Sequence, residues 1–415
     1  MGRRLVPVAL LLGSLVAVPS AQTAFGERTL GPQRILVALV TWGPQPFARE
    51  DVRRIVFDDV DAFYRRMSYG KASLVGDVTP WLQAFPGPAG CNLPPVRAAG
   101  GDAVRAAGYN PATYDRIVYV HPAAGCPWSG VTQAADVFLN GAVTPHLVAH
   151  ELGHSFGLAH ANLTDCRRHG CGALEYGDPY DTMGTGNGDF SAQAKVGLGW
   201  LTRVTRVKKN GTYTLAAIER TSALPQAFVT TTANDQYWIE YRGQPALDED
   251  GREVADAGVI VRVNPSPDLS DFGSSSIPNL LLSNPAGSQR PYLSQGERFV
   301  DTGVFTLRLL SVRGDRVRLQ FKWTDPTAPR APRFTAALVG GRLEVTLDGV
   351  REAGSGVAGY DVTLDNRAPL SVGADVNDAP VVVGRPLPGT HTVKYVVYDR
   401  AGNRSAPLVR RLRVR

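Results

Sequence analysis

Past residue 21 the chain has no uninterrupted apolar run near the roughly 18 residues that a membrane-crossing helix needs, so no helical span is expected there. The one long apolar stretch, Leu5 to Val18, is also too short. It follows Arg3-Arg4 and closes on Pro19-Ser20-Ala21, the charged, apolar and small-residue order of a secretory signal peptide. Residues 1–21 are read that way, and the destination as secreted. Charge of one sign is not in excess either. Lys and Arg number 44 against 38 Asp and Glu, spread along the chain, so a net +6 describes a basic surface rather than a nucleic-acid partner. Cysteine is sparse, with 4 in all. They lack Cys-x-x-Cys spacing, which argues against a thiolate metal site. In an exported chain they suggest two disulfides, with three pairings possible. The favoured one clips Cys166 to Cys171 and joins Cys91 to Cys126 across a longer loop.

Histidine is scarce as well, and its placement is informative. Of 7 in the chain, five fall between His146 and His169. Residues 150–160 read His-Glu-Leu-Gly-His-Ser-Phe-Gly-Leu-Ala-His. His150 and His154 stand one helical turn apart and project from one face. Gly157 can end the helix in the left-handed conformation, letting His160 return as a third nitrogen. Three imidazoles with a fourth position left to water make a catalytic rather than a structural zinc site. Glu151, beside the first ligand, can take a proton from that water. This is the elongated zinc-peptidase signature of the metzincins. His146 and His169 do not fit the spacing and read as surface or packing residues. Methionine is rarer still, 3 in all, and Met183 sits where a methionine turn would pack beneath the imidazoles.

The signature continues into Asp165-Cys166, Glu175-Tyr176-Gly177-Asp178-Pro179-Tyr180-Asp181-Thr182-Met183-Gly184, Phe190-Ser191-Ala192, Lys195 and Leu198-Gly199-Trp200-Leu201, with Cys126-Pro127-Trp128-Ser129-Gly130 upstream. Over roughly residues 115–201 this resembles the gametolysin-type metallopeptidases. The resemblance implies His150, His154 and His160 as zinc ligands, Glu151 as general base and Met183 as the turn methionine. Thr185 stands where some metzincins carry a tyrosine ligand, so no tyrosine is assigned to the metal. Asp178 or Asp181 would orient a ligand imidazole. With Asn187 and Asp189 they would alternatively frame a calcium site, although such loops are more often solvated turns. Gly184, Gly186 and Gly188 hint at an open side-chain pocket.

The expected fold is multidomain: an α+β metzincin-like catalytic domain over 33–201, followed by two all-β, sandwich-like domains. The first of these spans 202–324, where five alternating segments read as strands. A proline-rich linker, 325–332, leads to an immunoglobulin- or fibronectin-like domain at 333–415. In the catalytic part, Arg34–Thr41, Ala72–Val78, Asp115–His121 and Val131–Leu139 read as strands. Phe47–Met67 reads as a helix with Phe57, Val60, Phe63 and Tyr64 inward, and Val143–Leu158 and Ser191–Leu198 as further helices. The partner is a protein or peptide substrate, with cell-wall or extracellular-polymer contact through the last domain as an option. A monomer is expected. The competing reading is a secreted binding or adhesion protein with a retired peptidase domain, but Glu151 and all three histidines are present.

Overall fold

The computed structural model describes residues 29–165, 172–233, 235–248, 250–264, 280–282, 290–330, 333–347, 352, 354–374 and 380–415. The signal-peptide reading of 1–21, the Cys166–Cys171 pairing, His169 and most of the 265–291 loop lie outside these residues.

The chain opens on a central strand, Gly31–Thr41, whose residues Ile35 to Val40 have no solvent exposure. Side chains alternate across a strand, so its apolar run supplies two cores at once. Ile35, Val37 and Leu39 join one, and Leu36, Ala38 and Val40 the other. Parallel neighbours Ala72–Val78 and Arg116–His121 flank it. Asp136–Asn140 and Gly130–Gln133 then extend the sheet to one edge. The single strand expected at Val131–Leu139 is instead this hairpin. Gly130–Gln133, at the sheet edge, runs antiparallel, and Ala134 turns the chain with φ at 54°.

Helical turns run through Arg49–Arg54, Ile55–Val60 and Asp61–Met67, the middle segment wound as a π-helix. They bury Val52, Val56, Val60 and Tyr64 on one face of the sheet, whereas Phe57 and Phe63 are only partly buried. A helix not anticipated from sequence, Leu93–Ala106, covers the other face with Val96 and Val104. The loop beyond it is tied by a Cys91–Cys126 disulfide, with Cα atoms 5.4 Å apart.

Strands on either side of residue 201 share one sheet. Its order is Gly172–Leu174, Asn162–Asp165, Leu280–Leu282, Gly258–Asn264, Gln236–Arg242, Ala227–Thr231, Val204–Arg206. Gly211–Ala216, Arg316–Trp323, Phe305–Arg313 and Arg298–Asp301 form a second, antiparallel sheet. The two share a core that includes Phe228, Ile239, Val261, Phe305 and Phe321. After residue 333 a three-stranded and a four-stranded sheet enclose Phe334, Val345, Tyr360, Val362 and Tyr395. The described chain is thus sheet-rich, with its helices gathered around the first sheet. No helix among the described residues is long and apolar enough to cross a membrane.

Candidate metal centre

The helix Pro145–Ser155 carries the first two histidines. Its start is encoded locally: Pro145 fits the first turn, and the Thr144 side chain accepts from the Leu147 amide at 3.2 Å. Such a cap is worth about 1 kcal/mol. Gly157 ends the helix with φ at 91°, a conformation that costs glycine nothing. The chain then returns, so His150, His154 and His160 offer ring nitrogens that all lie within 4.8 Å of one another. Among the described residues this is the one group of three or more His, Cys, Asp or Glu so placed.

Each imidazole is oriented through its Nδ1. His150 faces the Thr182 carbonyl at 2.8 Å, His154 the Leu158 carbonyl at 2.8 Å and His160 the Glu175 carboxylate at 2.7 Å. A carbonyl only accepts, so Nδ1 of the first two carries the proton and Nε2 keeps a lone pair for a metal. Burial pushes His150 down to about 3 and lowers His154 too, so both rings stay neutral. The donor set therefore fits a cation. Asp178 and Asp181, expected to orient a ligand, do neither this nor frame a calcium site. Asp178 pairs with Arg262, Asp181 accepts from the amides of Met183 and Ser191, and Asp189 pairs with Lys195. Asn187 bonds the His146 ring and the Asp248 carbonyl.

Glu151 is 5 % exposed and projects to the sheet edge, where the Thr132 hydroxyl donates to its Oε2 at 2.6 Å. Burial pushes its carboxyl up to about 7, with the Thr132 hydrogen bond opposing. Met183 is buried beneath the same helix, and its position depends on Gly153: a Cβ there would stand 2.3 Å from the Met183 sulfur. Tyr64, Phe156, Phe190 and Trp200 complete the floor, with ring centroids 5.5 to 6.0 Å apart. Aromatic pairs like these contribute about 0.5–1.5 kcal/mol each beyond their buried area. The Tyr64 hydroxyl also donates to the Ala149 carbonyl at 2.9 Å, tying the helix to that floor.

The glycines at 184, 186 and 188 do not open a pocket. A Cβ on any of them would come within 2.3 Å of the backbone oxygens of Asp178, Pro179 or Tyr180. They let two backbone segments pack closely. Sequence reasoning missed Thr132 and Glu175, and it considered Tyr176 only alongside Asp178 and Asp181, with a calcium site among the options. Tyr176 stacks its ring 3.8 Å from that of His160 and 5.8 Å from that of His150.

Three histidines on and just after a helix beneath a mixed sheet, with a buried carboxylate one residue from the first of them, form an arrangement that could hold a metal ion. Residues 55–244 match the family model described as gametolysin peptidase M11, and over that segment the chain is similar to gametolysin-type peptidases. No curated protein matches the chain. Among solved structures it is similar to the spore cortex lytic enzyme SleM of Clostridium perfringens, at 15% identity and a TM-score of 0.20. That match covers 33% of this chain and 47% of that one, so the chain spans about half its length. The glycoside hydrolase domain of Endo-D from Streptococcus pneumoniae R6 matches at 9% identity and a TM-score of 0.19, covering 94% and 93%. Neither likeness amounts to a shared fold.

Proposed function

We propose that the protein is a secreted, zinc-dependent endopeptidase of the metzincin kind, with Glu151 as general base. The observation that carries this reading is the convergence of three imidazoles beside a buried carboxylate. Nε2 of His150 and His154 are 3.1 Å apart, near the roughly 3.3 Å edge of a tetrahedron with the 2.0–2.1 Å bonds of imidazole to zinc. His150, His154 and His160 would hold the ion. Bound there, zinc supplies Lewis acidity toward a carbonyl and lowers the pKa of water toward about 7. Glu151 takes the proton from the attacking water and hands it to the departing amine. Thr132 holds that carboxylate in place, and Glu175 holds His160. The edge strand Gly130–Gln133 borders Glu151 and leaves one side free to pair with an extended peptide. Secretion rests on residues 1–21 together with the Cys91–Cys126 disulfide, which suits an oxidising compartment.

The test is proteolysis of a denatured protein mixture by the purified, zinc-loaded protein, with cleavage sites read by mass spectrometry. Chelation is expected to abolish cleavage and added zinc to restore it, and His154→Ala to lose both metal and activity. Cleavage that survives metal removal would overturn the assignment.

A second reading concerns the C-terminal strand Leu408–Val414. From 391 to 415 there are seven Lys or Arg (394, 400, 404, 410, 411, 413, 415) against one acid, Asp399, which is buried. The charge is less evenly spread than the whole-chain balance suggests. Register sets Arg411 and Arg413 beside Thr392 and Thr390, on the face opposite Leu412 and Val414. Arg404 and Arg400 pair with Asp361 and Asp301, whereas Arg411 and Arg413 are exposed with no ion pair among the described residues. We read this face as a contact for an acidic extracellular polysaccharide. Joint replacement of Arg411 and Arg413 by Glu is expected to lower the salt needed for elution from an immobilised acidic polysaccharide. Unchanged elution would remove this reading.

A further inference from the structure

Tyr176 is a large side chain set against the histidine triad that the mechanism above does not use. It has three unusual properties together. Its backbone is left-handed, with φ at 60°, a region that a residue with a bulky side chain enters only when its surroundings hold it there. The ring is 40 % exposed although it is aromatic. That ring lies across the metal-binding imidazoles rather than against the core, at 3.8 Å from His160 and 5.8 Å from His150.

The surroundings that hold it are explicit. The Asn162 side chain accepts from the Tyr176 amide at 3.0 Å, and the Gly177 amide closes the turn on the Leu174 carbonyl at 3.1 Å. Glu175, one residue before, grips Nδ1 of His160. One short turn thus takes the same imidazole by its edge and by its face. Packing alone would not need this, because an exposed ring on an exposed turn gains little by burial. Strain held at such a place points to function.

We propose that the Tyr176 hydroxyl donates a hydrogen bond to the carbonyl oxygen of the scissile peptide as that oxygen gains negative charge. This rests on the peptidase reading. It makes Tyr176 a catalytic residue in the strict sense, a group that touches substrate. The role differs from that of Glu151, because Tyr176 moves no proton and stabilises charge by position alone. The side chain, 40 % exposed, stays accessible to a peptide bound at the triad.

The variant to measure is Tyr176→Phe, which keeps the ring, the stack and the turn while removing the donor. The expected result is a fall in kcat of about 10- to 1,000-fold with KM changed less than about threefold, as for loss of a transition-state donor. Zinc content and melting temperature should match wild type. Binding of a peptide analogue with a tetrahedral phosphorus centre should weaken by a similar factor, and that of a plain product peptide should not. If Tyr176→Phe keeps wild-type kcat and analogue affinity while wild type cleaves peptides, this proposal is overturned and the peptidase reading stands. If the variant loses zinc along with activity, Tyr176 serves metal retention and the donor role is likewise overturned. A zinc-loaded wild type that cleaves no peptide overturns both.

Discussion

Replacing Glu151 with Gln is expected to leave one zinc per chain and to lower peptide turnover by about 10²- to 10⁴-fold, the usual contribution of a positioned general base. The amide has the same shape and still accepts from the Thr132 hydroxyl, which lies 2.6 Å from Oε2 in the native chain. The helix that presents His150 and His154 is therefore undisturbed, and the Nδ1 atoms of both rings keep their backbone partners, leaving each Nε2 turned as before. What is lost is a basic oxygen. In the protein without metal, burial sets the Glu151 carboxyl near 7, and a bound cation would pull it down. Either way the native group can accept a proton near neutral pH, and the amide cannot. Metal content and kcat measured on the same preparation separate the two roles. A variant that retained both zinc and near-native kcat would falsify the base assignment.

The parts of this site that were legible in the sequence are those whose geometry is local. His150, Glu151 and His154 are fixed by helical spacing, and His160 by a glycine turn, so the order of residues already contains the arrangement. Thr132 and Glu175 come from separate strands and turns, and only tertiary pairing brings them to Glu151 and His160. Tyr176 depends on a left-handed residue that no turn signal marks. The same holds for the hairpin at Gly130–Asn140, where Ala134 occupies a conformation that Gly or Asn would have advertised. The helix Leu93–Ala106 was hidden by its own composition, with Pro94-Pro95 at the start and Gly100-Gly101 inside. Packing explains the glycine: a Cβ at Gly100 would stand 2.8 Å from the Tyr119 ring, so close approach to the sheet outweighs poor helix propensity. The change of texture at residue 201 is real, but a shift from helix to strand alternation does not mark where contacts end.

Those contacts set the second large effect. Replacing Glu240 with Ala is expected to destabilise the protein by about 3–5 kcal/mol, the range for breaking a buried ion network from one side. Glu240 is fully buried and lies between two equally buried arginines, 2.8 Å from Arg242 and 3.0 Å from Arg262. Its other oxygen accepts from the Ala192 amide at 2.6 Å, at the start of the helix Ala192–Gly197. Arg262 continues to Asp178, and Arg242 to the Asp189 carbonyl at 2.8 Å. Burial alone would raise the Glu240 carboxyl, but the two guanidiniums hold it down to about 2. Its stabilisation is therefore present above the unfolded carboxylate value of about 4.3, and it is lost as pH falls through about 2. Without Glu240 two guanidiniums keep only part of their compensation in a dry interior, and the segment 178–192 beneath the metal site loses its anchor. The chain past residue 201 thus packs onto the segment below the histidine triad: Glu240, Arg242 and Arg262 bond to Ala192, Asp189 and Asp178 around the loop that carries Met183. Denaturant unfolding of Glu240→Ala against wild type measures the loss, and Glu240→Gln, which keeps the shape and one acceptor oxygen but loses the charge and the second acceptor, should fall between. A loss below about 1 kcal/mol would mean that the network is incidental. In that case a chain ending at Leu201 is expected to fold and bind zinc by itself, whereas a required network predicts that it does neither.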